Sequence, residues 1–114
     1  MLLQMYKAKI SNARITATEL HYEGSITIDE KIIKSVGILP GERVQVVNLN
    51  NGNRLETYVI AGKSGEICLN GPAAHKGKVG DVVHIIAYAF MEPKEAKTFK
   101  PKLIKVNERN RIKS

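Results

Sequence analysis

Val36-Gly37-Ile38-Leu39-Pro40-Gly41-Glu42-Arg43-Val44-Gln45-Val46-Val47 is the stretch that decides the fold. A turn at Pro40-Gly41 passes through an acid into residues that alternate apolar and polar, the period of a half-buried strand. The pattern returns at Lys78-Val79-Gly80-Asp81-Val82-Val83-His84-Ile85-Ile86. One Gly-acid-strand step used twice in a short chain predicts a β-fold with two related halves.

The rest of the chain supplies strands for both halves. Met5–Ile10, Ala13–Glu19, Ser25–Ile28, Arg54–Ile60 and Glu66–Asn70 join Arg43–Asn48 and Val82–Phe90 as short runs rich in Val, Ile, Thr and Tyr. Asn50-Asn51-Gly52-Asn53, Gly62-Lys63-Ser64-Gly65 and Asn70-Gly71-Pro72 are turn signals between them. Asn51-Gly52 is a hairpin signal, because both residues tolerate positive φ. Asp29 through Val36 reads as a helix that stops at Gly37, with Ile32, Ile33 and Val36 facing the core. A second short helix is expected after Pro72, through Ala73, Ala74 and His75, and a further turn at Glu92–Ala96. The expected class is mainly β: a closed barrel of six to seven strands with one or two short helices. Closure removes the exposed edges that a sandwich would have to protect.

Composition narrows the function. A chain of 114 residues is one domain, 1–114. No apolar run approaches the roughly 20 residues of a membrane-spanning helix, and the start of the chain lacks the features of a signal peptide. The expected location is cytoplasmic, with no membrane partner. Cys68 is the single cysteine, so no internal disulfide forms, and its apolar setting predicts a buried, inert thiol. His75 and His84 lack a third ligand at recognisable spacing, and no metal site is expected. The net charge of +7 suggests nucleic acid, but its distribution does not. Residues 97–114 hold seven Lys or Arg against one Glu, whereas 1–96 are almost balanced. The excess reads as a solvated or partly ordered basic tail.

The segment Leu20-His21-Tyr22-Glu23-Gly24-Ser25-Ile26-Thr27-Ile28-Asp29 carries the chemistry. It resembles the self-cleavage site of the pyruvoyl-dependent aspartate 1-decarboxylases. The resemblance extends through Lys7-Ala8-Lys9-Ile10, Gly37-Ile38-Leu39, Asn51-Gly52-Asn53-Arg54, Thr57-Tyr58-Val59-Ile60, Asn70-Gly71-Pro72-Ala73-Ala74-His75 and Val79-Gly80-Asp81. It implies a double-psi β-barrel assembled as a homotetramer. It implies cleavage between Gly24 and Ser25 into chains 1–24 and 25–114, with Ser25 becoming a pyruvoyl cofactor. That cofactor would form a Schiff base with L-aspartate and release carbon dioxide and β-alanine, a step of pantothenate synthesis. Thr57 would position the Gly24 carbonyl and Tyr58 would supply the proton. Arg54 and Lys9 would hold carboxylate, and Asn70, Gly71, Pro72 and Ala73 would line the substrate. A maturation factor is a further partner to be tested. Ser11, Val47 and Pro72 depart from residues that some relatives carry near the site. The competing class is a small nucleic-acid-binding barrel of the transcription-regulator kind. A nearly neutral body with 5% aromatic residues argues against it, since stacking platforms and phosphate tracks need the opposite.

Overall fold

A computed structural model describes residues 1–113. In chain order it contains β1 (Leu3–Arg14), β2 (Ala17–Glu19), β3 (Ser25–Asp29), α1 (Glu30–Val36), β4 (Arg43–Asn48) and β5 (Arg54–Gly62). There follow β6 (Ile67–Asn70), a 3₁₀ helix (Gly71–Lys76), β7 (Val82–Met91), α2 (Pro93–Ala96) and β8 (Lys102–Lys105). The strands lie in the order β2-β6-β3-β5-β4-β7-β1-β8.

That order closes on itself. β1 and β2 are one path interrupted at Ile15-Thr16, where Thr16 N–H donates to the Ile67 carbonyl at 2.8 Å. The first part of this path pairs antiparallel with β7, and the second pairs parallel with β6. Counted as one strand, β1/β2 completes a six-stranded barrel, and β8 adds a seventh strand alongside β1. The mainly β barrel expected from the sequence is therefore present. The division expected near residues 11 and 12 is instead a register shift within β1. Asn12 sits there at φ 66°, and its N–H donates to His84 Nδ1 at 3.2 Å. Alternation places Ala8, Ile10, Ile26, Ile28, Val44, Val46, Val83 and Ile85 inside, each at most 1% exposed. Ile32, Ile33 and Val36 of α1 close the core.

The repeated Gly-acid step makes the same bonds twice. Glu42 N–H donates to the Leu39 carbonyl and Asp81 N–H to that of Lys78, both at 3.0 Å. The acid side chains turn back onto the same loops: Leu39 N–H reaches Glu42 Oε1 at 3.1 Å and Lys78 N–H reaches Asp81 Oδ2 at 3.0 Å. Gly41 and Gly80 have φ of 89° and 94°, a region that favours glycine. Each then crosses to another strand. Gly41 bonds the Val59 carbonyl at 2.7 Å, and Gly80 bonds that of Ile15 at 2.8 Å.

The basic tail is more firmly attached than its composition suggests. Lys102–Lys105 pairs parallel with Ala8–Ser11, and Val106 is buried. Asn110, also buried, accepts from Arg14 N–H at 2.7 Å and donates to the carbonyls of Arg14 and Gly65. A few apolar contacts and one well-placed amide fix a segment whose charge pattern alone reads as solvated.

Candidate active site

β3 and β6 run antiparallel, with Ser25 opposite Asn70 and Thr27 opposite Cys68. Alternation sends the neighbouring Ile26 and Leu69 into the core. It leaves the four small polar side chains together on the other face. Asn70 is their hub. Its Nδ2 donates to Ser25 Oγ at 2.7 Å and to Thr27 Oγ1 at 2.8 Å, and its Oδ1 accepts the Cys68 thiol at 3.2 Å. Ser25 is fully buried and Asn70 is 5% exposed. These bonds are made away from bulk water, where an unmade one is expensive.

Gly24 precedes this cluster at φ 128°, a backbone state that L side chains rarely adopt. Gly71, at φ 65°, packs onto the same bend. A Cβ there would lie 2.4 Å from the Tyr22 carbonyl oxygen and 2.7 Å from Gly24 N. The turn after β6 thus holds the backbone just before Ser25 by direct main-chain approach, which only glycine permits. Pro72 stands beside it: a Cβ on Gly24 would meet its Cδ at 3.8 Å.

A cleft of about 410 Å³ opens on this bend. Gly24, Thr57, Tyr58, Pro72 and Ala73 line it, together with Glu23, Leu55, Glu56 and Lys76. Tyr58, 40% exposed, brings a phenol to a solvent-accessible wall. The structure therefore gathers Gly24, Ser25, Thr57, Tyr58, Asn70, Gly71, Pro72 and Ala73 around one bend.

Lys9 and Arg54 do not line this cleft. Arg54 is on the outer face at the start of β5, where its guanidinium donates to Gln45 Oε1 at 3.3 Å. Lys9 lies across the barrel wall on β1. It borders a separate groove of about 680 Å³ with Tyr6, Ser11, Ile86, Tyr88, Leu103 and Lys105. Ser11 lines this groove, while Val47 is paired with both Arg54 and His84. Burial, and then the Lys9 charge, lower the His84 pKa, so this imidazole favours its neutral form.

Sequence reasoning missed three residues. Thr27 fills the second donor of Asn70, Cys68 contacts its oxygen, and Lys76 brings a cation to the cleft. The signal for the first two was available: in an antiparallel pair, residues two apart on each strand share a face with the residues opposite them.

A family model described as aspartate decarboxylase matches residues 1–113. Proteins named aspartate 1-decarboxylase align along almost the whole chain. That of Carboxydothermus hydrogenoformans is 57% identical over 98% of this chain and 90% of its own length. That of Clostridium botulinum is 56% identical over 99% and 93%, and that of Cytophaga hutchinsonii 53% over 98% and 99%. This chain belongs to the aspartate decarboxylase family.

Proposed function

We propose that this protein decarboxylates L-aspartate to β-alanine, using a pyruvoyl group that it makes from its own Ser25. The observation that carries the reading is the buried Ser25 hydroxyl, held by Asn70 directly after a glycine at φ 128°. In the continuous chain, Ser25 Oγ attacks the Gly24 carbonyl carbon. The C–N bond breaks as the C–O bond forms, and the hydroxyl proton passes to the Ser25 nitrogen. Loss of the Ser25 Cα proton then expels the Gly24 carboxylate and leaves a dehydroalanine. Tautomerisation and addition of water replace its nitrogen by oxygen and release ammonia. The residues suit such a group: its carbon skeleton would remain in the pocket that Asn70 and Gly71 define.

The ketone supplies an electron sink for the electrons freed when carbon dioxide departs. The chain's own residues do the rest. Tyr58 offers a phenolic proton from the cleft wall to the carbon that loses the carboxylate. Thr57 lines the same cleft as Gly24 and would orient its carbonyl. Asn70 holds Ser25 Oγ in the continuous chain; once that oxygen has left with the Gly24 carboxylate, the freed amide donor would serve the substrate.

Two cations of this reading, Arg54 and Lys9, stand outside the cleft of their own chain. The reading therefore includes a homotetramer in which a neighbouring copy completes the substrate site. The outer face supports such packing, because Tyr6, Phe90 and Leu103 are 43%, 67% and 58% exposed there. A cytoplasmic location belongs to the same reading and suits a site whose one thiol is kept reduced.

Intact mass under denaturing conditions, together with carbon dioxide release from L-aspartate, tests it. Fragments 1–24 and 25–114, the second ending in a ketone rather than an amine, are the expected result. An uncut chain after warm incubation, alone and with an extract of the native host, overturns the reading. The host extract also tests for a maturation factor.

A further inference from the structure

β1 and β7 lose register close to Lys9. Between the pairs Ile10–Ile85 and Ala13–Val83, two β1 residues, Ser11 and Asn12, face the single β7 residue His84. The bulge takes Asn12 N–H out of the ladder, and His84 Nδ1 accepts it at 3.2 Å. A backbone N–H only donates, so Nδ1 carries no proton and the proton of the neutral ring is on Nε2. Burial, and then the Lys9 charge, favour that neutral ring. Nε2 lies at the distal edge of the imidazole and has no hydrogen-bond partner among the described residues. No side-chain polar atom among them is both buried and unpartnered, so this N–H is open to a ligand. Strand register sets its neighbours. Val47 pairs with His84 on one side and with Arg54 on the other, so the three share one row of the outer face. Lys9 pairs with Ile86, two residues along β7, which places it diagonally beside His84.

We propose that His84 is a substrate-binding residue whose Nε2–H donates to a carboxylate held between Arg54 and Lys9. The inference rests on the reading that these two cations hold L-aspartate for the cleft of a neighbouring copy. The ring stands between them on one face, and the side chain that separates it from Arg54 in the row is the small Val47. An uncharged donor in that place adds a directed hydrogen bond to the carboxylate without a third positive charge. The Asn12 bond fixes which ring nitrogen faces the bulge, and so which one is left for the substrate.

Two substitutions separate the two ring nitrogens. His84→Asn keeps an acceptor near the place of Nδ1 for Asn12 N–H and lacks the distal donor. His84→Gln keeps a donor near the place of Nε2 and lacks the acceptor at the bulge. His84→Asn is expected to raise KM for L-aspartate about tenfold or more with kcat within about threefold, the signature of lost binding. Its melting temperature should stay near that of the parent chain. His84→Gln should melt lower and keep KM within about threefold. A KM unchanged in His84→Asn, or raised equally in both variants, overturns the inference, because equal rises make the bulge the cause. Succinate gives a readout independent of turnover, since it has the two carboxylates of aspartate and no amine to react. Added to the uncleaved Ser25→Ala chain, it should shift the nitrogen resonance of His84 Nε2. An unmoved resonance overturns the inference, and this measurement decides if His84→Gln does not fold. A shifted resonance in a protein that releases no carbon dioxide from L-aspartate removes the function reading and leaves the carboxylate donor standing, which separates the two failures.

Discussion

The two halves of the barrel end their third and sixth strands differently. β3 ends at Asp29 and β6 ends at Asn70, and each residue leads into a helix. Asp29 does the ordinary work of that position. Its Oδ1 accepts Lys31 N–H at 2.8 Å and caps α1, while its Oδ2 accepts Gly65 N–H at 2.7 Å. Asn70 makes no side-chain cap, and the element after it is a 3₁₀ turn entered through Gly71-Pro72. Its amide turns back across the sheet to Ser25 and Thr27. One strand end stabilises the helix that follows it, and the other turns its side chain away from its helix toward Ser25 and Thr27. The 3₁₀ turn has the poorer hydrogen-bond geometry of its kind, and the strand before it keeps its amide for Ser25 and Thr27 instead of a cap.

Substitutions can break this contrast. The largest effect is expected from Gly71→Ala, which drives a methyl group into the Tyr22 carbonyl and Gly24 backbone. Cleavage should be lost altogether, with intact mass as the readout. Asn70→Ala comes next. Cleavage should slow by at least tenfold while the melting temperature changes less than for Asp29→Ala. Asp29→Ala should do the reverse. Loss of the cap and of the Gly65 bond costs about 2 kcal/mol, which is roughly 5–10 °C in melting temperature for a chain of this size. Cleavage should persist. A variant pair in which both substitutions slow cleavage equally would erase the contrast.

The smallest effect concerns the repeated acid. Asp81 is held below the ordinary carboxylate range, first by Asn48 and then by the Lys78 N–H. Its folded value lies below its unfolded one, so its stabilisation is complete above about pH 4 and is lost as pH falls through the folded value. Asp81→Asn should therefore lower stability at neutral pH and flatten the acid limb of a melting-temperature profile. An unchanged acid limb would show that this carboxylate is not coupled to folding.

Much of this was legible in the chain. Gly41-Glu42 and Gly80-Asp81 marked the repeat because glycine is the residue for positive φ and an adjacent acid can close its own loop. Ser25, Asn70 and Gly71 were legible through resemblance, and the structure brings them to one bend. Charge counts alone do not see Val106 and Asn110, two buried residues that anchor their neighbours in the tail. Lys9 and Arg54 could be nominated by position, but a strand reading does not reveal which wall of a closed barrel a residue will occupy.

The sequence by itself determined the strands before the tail, their turns and the Gly24-Ser25 step, because these depend on local period and on backbone freedom. Only the tertiary structure decided that Cys68 faces Asn70, that Gly71 presses on Gly24, and that β1 and β2 close one barrel. Those relations join residues far apart in the chain, and they follow from strand register, where a slip of one residue would turn every side chain to the opposite face.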